Sequence, residues 1–310
     1  MTEPVRASQA FPLVCPVCKG HVSIMPEQVF CRGCARVFPY QAGFPDLIVG
    51  GRFDDKPNPD RSAYEERSNA YTTEHYLLPT FRRLFPNPAE PRRLLSVGCG
   101  TGVDVDLLAA AGFDIAGVDC GNRCDVWPNR QFPDRLYLAN GKHLPFEDQT
   151  FNLVYCGCVF PHVGTQGDSN NVLPNYREER RAIAREMCRI LKPDGYILVS
   201  SPNRLCPVDL FHGRSRESPF PRLNSPANPF LLSVADYREL FAISGCNLFR
   251  LLPVEGYWGF INLKTHWKGR ILARPIEAIF RLVSTNACSF LRPLPVSPWL
   301  VILMTRKTAW

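Results

Sequence analysis

Two sets of residues in this chain have types and spacings that could do chemistry. The first is Gly98-Cys99-Gly100-Thr101-Gly102, which follows the apolar run Leu94, Leu95, Val97. A short helical pattern comes next, then a second apolar run ending in Asp119. Glycines let a backbone bend sharply and approach a ligand closely, and a helix start offers unpaired amides. A carboxylate at the end of the next strand can accept both hydroxyls of a ribose. The second set is Cys15-Pro-Val-Cys18 and, after twelve intervening residues, Cys31-Arg-Gly-Cys34. Two such knuckles can supply four thiolates to a tetrahedral Zn²⁺, and with no open position the ion would be structural. Gly20 and Gly33 suit the tight turns, and Lys19, His21, Arg32 and Arg36 could offset part of the negative charge. A redox Cys-x-x-Cys pair competes with this reading but needs only one such motif.

The elements that must position these residues are legible in outline. Residues 94–97 read as a strand, followed by a helix with Asp104 and Asp106 in its first turn and Gly112 at its end. Residues 113–118 read as the second strand. The interval after Asp119 is short and holds Gly121, Pro128 and Pro133, so a truncated helix or a loop is expected there. Residues 135–139 read as the third strand, leading to Asn140-Gly141, and residues 147–156 as a turn and fourth strand. Asn175 with Glu178 is a candidate capping pair for a helix whose Ile183, Met187, Ile190 and Leu191 share one face. Lys192-Pro-Asp-Gly195 stops that helix, and residues 196–201 form the fifth strand. Ser233 with Asp236 opens another helix, ended by Gly245. Residues 248–252 and 299–304 would be the last two strands, antiparallel to each other. Upstream, Asp60 could cap a helix from Arg61 that carries Tyr64, Tyr71 and Tyr76 toward the main domain, as packing more than as substrate contacts.

The Gly-x-Gly-x-Gly spacing is tighter than the Gly-x-Gly-x-x-Gly of dinucleotide enzymes. Together with Asp119, Pro145-Phe146, Phe151 and Arg189-Ile-Leu-Lys-Pro-Asp-Gly195, it resembles the class I S-adenosylmethionine-dependent methyltransferases of the type 11-like group, over about residues 70–253 and 297–310. The resemblance implies a doubly wound, Rossmann-like α/β fold with a seven-stranded sheet. It implies S-adenosyl-L-methionine as cofactor, held by Gly98, Gly100, Gly102, Asp119, Asn140, Gly141 and Cys156. Relatives usually have Asp where Asn140 stands, bonded to the adenine amino group, and an Asn carbonyl can accept the same bond. Residues 157–163 resemble the loop lining the methyl-transfer centre, which makes His162 a candidate base. His212 after the fifth strand is a second candidate, with Asp209 as its orienter. Cys156 and Cys158 read as strand-end packing and not as nucleophiles. Ser96 stands where an acid is usual two residues before Gly98, and Asn152 replaces a common Asp.

Leu13-Val-Cys15-Pro-Val-Cys18-Lys-Gly, the second knuckle and Val37-Phe-Pro-Tyr with Gly43-Phe-Pro-Asp resemble the small zinc-binding partner proteins of tRNA and release-factor methyltransferases, over about residues 11–48. That implies a zinc ribbon docking on a methyltransferase, here within one chain. The expected division is a ribbon at 1–50, a linker at 51–62 and a methyltransferase domain at 63–310, with a basic amphipathic insertion at 256–296.

Composition bounds the setting. The chain has 310 residues, 45% hydrophobic, enough for a core. Residues 1–10 are polar with no apolar h-region, so no signal peptide is expected. Thirteen cysteines then read as reduced thiols or metal ligands, which places the protein in the cytoplasm. The net charge of +7 is carried by residues 242–310, with nine Lys/Arg against two Asp/Glu. A basic end suggests an anionic partner or a solvated face. The insertion reads as helices interrupted by Pro275, serving as a lid over a lipid-like acceptor, as a contact with an anionic membrane surface, or as a cap on the sheet edge. The expected activity is methyl transfer to a small-molecule acceptor such as a saccharide, lipid or secondary-metabolite precursor. An rRNA or tRNA methyltransferase is the alternative, but residues 1–50 hold four Lys/Arg and three Asp/Glu, a poor grip on phosphates. A non-catalytic cofactor-binding interaction protein is the third reading.

Overall fold

The structure, a computed structural model, describes residues 11–53, 59–87, 90, 92–167, 169–209, 222–260, 264 and 267–306. It begins with a curled antiparallel sheet of four short strands, β1 (Val22–Ile24), β2 (Gln28–Cys31), β3 (Val37–Gln41) and β4 (Phe44–Pro45). So small a sheet cannot enclose a core of its own, and it borrows one. Phe11 stacks on Phe151 at 5.5 Å and meets Phe146 edge-on at 6.3 Å. The Val14 amide donates to Pro145 O at 3.0 Å, and Lys19 Nζ reaches Glu186 at 2.7 Å. The ammonium expected to offset the thiolates is therefore spent on the main domain.

Helix α1 (Pro59–Thr72) runs through a π-helical turn (Thr73–Leu77) into α2 (Leu78–Leu84). It starts ahead of the expected Asp60 cap, on Pro59, whose missing N–H costs nothing at a first helical position. Then come β5 (Arg93–Val97), α3 (Val103–Ala110), β6 (Asp114–Asp119), two 3₁₀ stretches (Asn122–Asn129 and Pro133–Arg135), β7 (Leu136–Leu138), β8 (Phe151–Gly157), α4 (Tyr176–Ile190) and β9 (Leu191–Pro202). A two-residue pair, β10 (Val208–Asp209) and β11 (Arg222–Leu223), precedes α5 (Val234–Ala242), β12 (Cys246–Leu251), α6 (Trp267–Ser284) and β13 (Trp299–Arg306). The prolines after Asp119 do replace a long helix by 3₁₀ turns.

The main sheet has the order β12-β13-β9-β8-β5-β6-β7, with β13 antiparallel to both neighbours and the other pairings parallel. Alternate strand residues feed two apolar layers, as expected of a parallel sheet covered on both faces. One layer joins Val97, Val118, Val154 and Val199 to Ile183 and Met187 of α4 and to Phe11, Val29, Phe38 and Leu47 of the ribbon. The other joins Leu94, Ile115, Leu153 and Leu198 to Phe81 of α2, Leu108 of α3 and Phe280 of α6.

Two local expectations are corrected. Asn175 makes no side-chain cap; its amide donates to Glu179 Oε1 at 3.4 Å instead. The insertion is not broken at Pro275, because α6 continues through it. Ile271 and Pro275 both face solvent, so water can satisfy the carbonyl that the missing N–H leaves open. By contrast, Ser233 and Asp236 form the expected reciprocal capping box. No helix of the described residues is long and apolar enough to cross a membrane.

Candidate functional site

A cavity of about 890 Å³ opens at the carboxyl ends of β5, β6 and β8. Here the chain order reverses across the sheet, the usual place for a ligand in an open α/β fold. Its floor is the glycine turn. The amides of Gly98 and Cys99 both donate to Val118 O, at 2.8 and 3.1 Å. Gly98 has φ +76, and a Cβ there would lie 2.3 Å from Val159 Cγ2, so both conformation and space demand glycine. Asp119 is fixed by two backbone donors, Gly100 N to Oδ2 at 2.8 Å and Gly121 N to Oδ1 at 2.7 Å. Each of its oxygens keeps a lone pair at the cavity wall, where it can accept a hydroxyl.

Beneath the turn lies a buried carboxylate. Asp104, in the first turn of α3, accepts from Ser96 Oγ at 2.7 Å and from the Tyr155 hydroxyl. Burial pushes its carboxyl up to about 6, against the pull of the Ser96 bond. Ser96 thus does not leave the strand end without an acid beside it; a residue eight positions later supplies one.

The roof comes from elsewhere. Leaving the ribbon, Leu47 N donates to Leu138 O at 2.9 Å and Phe53 N to Cys120 O at 3.1 Å. Residues 50–53 form a strap along the cavity wall. Asn140 holds the strap with Nδ2 donating to Gly51 O at 2.9 Å, while its Oδ1 accepts from Lys142 N at 3.0 Å. Tyr64 and Glu65 of α1 and Trp258, Gly259 and Phe260 complete the enclosure. Glu65 is paired with Arg123 at 2.7 Å, and Glu179 with Lys142.

A family model described as a methyltransferase domain matches residues 69–250. The chain belongs to that methyltransferase-domain family. A probable S-adenosylmethionine-dependent methyltransferase of Mycolicibacterium smegmatis is 26% identical over 191 residues, which cover 60% of this chain and 64% of the relative. A cypemycin N-terminal methyltransferase of a Streptomyces species is 30% identical over 109 residues, or 35% of this chain and 41% of that one. The chain thus matches less than two thirds of the length of either relative. Among solved structures, a TehB-like SAM-dependent methyltransferase from Corynebacterium glutamicum has 16% identity and a TM-score of 0.42, covering 81% of this chain and all of that one.

Within this methyltransferase domain the residues singled out from sequence separate into groups. Gly98, Gly100, Asp119, Asn140 and Gly141 line the cavity, and so does His162. The His162 ring sits between Phe53 of the strap at 6.1 Å and Phe230 at 5.5 Å. Gly102 and Cys156 do not reach the cavity wall. Gly102 backs onto Leu136 and Trp127. Cys156 points into the core, where burial pushes its thiol far up, and the next two residues, Gly157 and Cys158, take its place at the wall. Asp209 ends β10, its side chain outside the described set, and His212 lies outside the described residues. Of the tyrosines on the first helix, Tyr64 reaches the cavity, whereas Tyr76 is buried, its hydroxyl donating to Pro253 O.

Sequence reasoning missed Trp127. It is fully buried, its Nε1 donates to Gly100 O at 2.8 Å, and Phe44 of β4 packs edge-on against it at 5.3 Å. The ribbon is therefore two contacts from the glycine turn. A lone tryptophan in a proline-interrupted loop gave no signal of that.

The four ribbon cysteines converge. All four Sγ atoms lie within 4.8 Å of one another, with Cys15–Cys34 at 3.8 Å and Cys18–Cys31 at 3.4 Å. A tetrahedron of ~2.3 Å zinc–sulfur bonds has edges of ~3.8 Å, so the arrangement fits that ion. Gly20 and Gly33 flank the Cys18 sulfur, and a Cβ at either would stand 3.3 Å from it.

Proposed function

We propose that the protein transfers a methyl group from S-adenosyl-L-methionine to a small-molecule acceptor, a saccharide, a lipid or a secondary-metabolite precursor. The observation that carries the reading is the glycine turn with Asp119 locked by Gly100 N and Gly121 N at the mouth of the cavity, in a chain of the methyltransferase-domain family. When bound, the cofactor supplies a sulfonium methyl group that passes in line to a nucleophilic acceptor atom.

Asp119 takes the ribose hydroxyls, and the glycine backbone of the turn, its Gly98, Cys99 and Gly100 amides already spent on Val118 O and Asp119, lets the rest of the cofactor approach closely. Asn140 holds the strap through Nδ2 on Gly51 O, while its Oδ1, which accepts from Lys142 N, keeps a second lone pair for the adenine amino group. His162 is the proposed base for the acceptor proton, positioned by Phe53 and Phe230. Asp209 and His212 stay candidates from sequence for the same role. Positioning and exclusion of water do most of the work in such a transfer. The roof serves both, and a volume near the top of the ~300–1,000 Å³ range of small-molecule pockets leaves room for cofactor and acceptor together.

We assign Cys15, Cys18, Cys31 and Cys34 to a structural Zn²⁺, and residues 1–50, 51–62 and 63–310 to ribbon, linker and methyltransferase domain. A four-thiolate site is kept as thiols in a reducing compartment, which supports a cytoplasmic setting. RNA is the weaker alternative acceptor.

Two measurements test the reading. Calorimetry with S-adenosyl-L-methionine should show binding, and its absence would sink the enzyme reading. Transfer of methyl label into fractionated lysate should mark organic-soluble or small polar material; label confined to RNA would replace the small-molecule acceptor.

A further inference from the structure

We propose that the solvent face of α6 seats the protein on an anionic lipid bilayer, and that the acceptor is an amphiphile drawn from that bilayer. The second half rests on the methyl-transfer reading; the first does not.

The core uses one side of α6, through Gly269, Ala273, Phe280 and Val283. At 100° per residue, the opposite side carries Trp267, Ile271 and Leu282, with Leu272 beside the core edge. All four are exposed, Trp267 by 63% and Ile271 by 54%. Arg270, Arg274 and Arg281 run along one flank of this stripe and Lys268 along the other. Lys268 Nζ stands 5.7 Å from the Trp267 ring. Among the described residues no carboxylate pairs with Arg270 or Arg274; Glu277 is taken by Lys264, and Glu255 lies 3.6 Å from Arg281. After the helix, Phe290, Leu294 and Val296 are exposed as well.

An apolar stripe bordered by cations of one sign is the pattern of a helix lying in a membrane interface. The alternatives satisfy only half of it. A nucleic acid would engage the arginines and leave Trp267, Ile271 and Leu272 in water. A second copy of the same face would bring arginines against arginines. A bilayer with anionic headgroups meets both requirements.

The same element backs the cavity. Phe260 lines it and meets Phe280 of α6 edge-on at 5.7 Å. Trp258, also in the wall, meets Trp299 edge-on at 5.1 Å. A helix bound at the headgroup level would hold the aromatic wall of the cavity within one helix diameter, ~10–12 Å, of the lipids.

The test is co-sedimentation of the full chain with vesicles of pure phosphatidylcholine and of 3:1 phosphatidylcholine:phosphatidylglycerol. Binding should be at least about tenfold tighter to the anionic vesicles, and Arg270→Glu with Arg274→Glu should cost about fivefold for each charge removed. Trp267→Ala with Ile271→Asp should abolish sedimentation, and both pairs should keep the parental melting temperature and cofactor affinity because the four positions are exposed. No association with either vesicle, unchanged association of both variants, or light scattering showing a dimer that the second variant dissociates would overturn the proposal. Calorimetry with the cofactor reads the methyl-transfer proposal separately, so bilayer binding can fail while that reading stands. If lipid extract from the vesicle-bound fraction takes up no methyl label while another fraction does, the amphiphilic acceptor is overturned alone.

Discussion

The floor and the roof of the cavity are built on different principles. The floor is backbone at strand ends, where Gly98, Gly100, Asp119 and Gly141 all stand within three residues of a strand of the sheet. The roof is assembled from the ribbon's strap, from α1 and from Trp258–Gly259–Phe260, more than 200 residues of sequence apart. A floor of closely approachable glycine backbone and one carboxylate suits a ligand common to many proteins. A roof of side chains gathered from private segments suits a ligand peculiar to this one. On the proposed function the floor takes the cofactor and the roof bounds the acceptor, and the two meet where Asn140 donates to Gly51 O.

The largest expected effect breaks the roof at its origin. Binding of a structural zinc contributes about 10–16 kcal/mol in small ribbons, comparable to the ~5–15 kcal/mol that holds a whole domain. Cys31→Ser, or chelation, should lower the melting temperature by about 10 °C or more and weaken cofactor binding, because Phe44 then no longer supports Trp127. An unchanged melting curve in protein shown to be metal-free would mean that Phe11 packing on Phe146 and Phe151 sustains the ribbon unaided.

Below the floor, Asp104 gives a pH-dependent effect of definite sign. Its carboxyl is raised to about 6 by burial, so the folded protein holds that proton more firmly than the unfolded chain. Its contribution to stability then falls as pH rises from about 4 to about 6, and is flat above. Asp104→Asn removes the buried charge and should stabilise the protein at pH 7 by up to about 3 kcal/mol, with little gain near pH 4. The same change should weaken cofactor binding, since a negative charge near the turn favours a sulfonium. Melting curves of both proteins at the two pH values decide it: equal destabilisation at both would assign the role of Asp104 to its bonds with Ser96 and Tyr155 and not to its charge.

Asp119 tests the floor itself. A hydrogen bond to a charged group contributes about 2 kcal/mol, so Asp119→Ala should weaken the cofactor roughly thirtyfold in calorimetry. A fall in melting temperature with unchanged affinity would reduce Asp119 to a brace for Gly100 and Gly121.

This contrast also explains what was legible in the sequence. Strand ends, the glycine turn and Asp119 follow from local spacing, because glycine conformation and strand periodicity are local properties. The four cysteines were legible for the same reason. The seven-stranded, doubly wound sheet followed from the resemblance, whereas its strand order is read from the structure. Asp104 was read as a helix-dipole partner, and its burial against Ser96 of β5 and Tyr155 of β8 is a tertiary arrangement that spacing does not encode. Trp127 and the strap are roles created by docking the ribbon. Cys156, the last residue before Gly157, points into the core, and Gly157 and Cys158 line the cavity instead.

The smallest effect lies at the joint of floor and roof. Asn140→Ala removes the bond to Gly51 O and should weaken the cofactor about fivefold, the value of one neutral hydrogen bond near ~1 kcal/mol. Asn140→Asp separates the two roles open to this residue. If the residue serves the adenine amino group, as the resemblance implies, Asp restores the family's usual acceptor and binds at least as well as the parent. If it serves the strap, Asp has no proton to donate, and its oxygen faces the Gly51 carbonyl that the amide now holds at 2.9 Å. The two acceptors repel, the strap lifts, and Asp binds more weakly than Ala. We expect the second order, parent above Ala above Asp, because the amide is already committed to the strap.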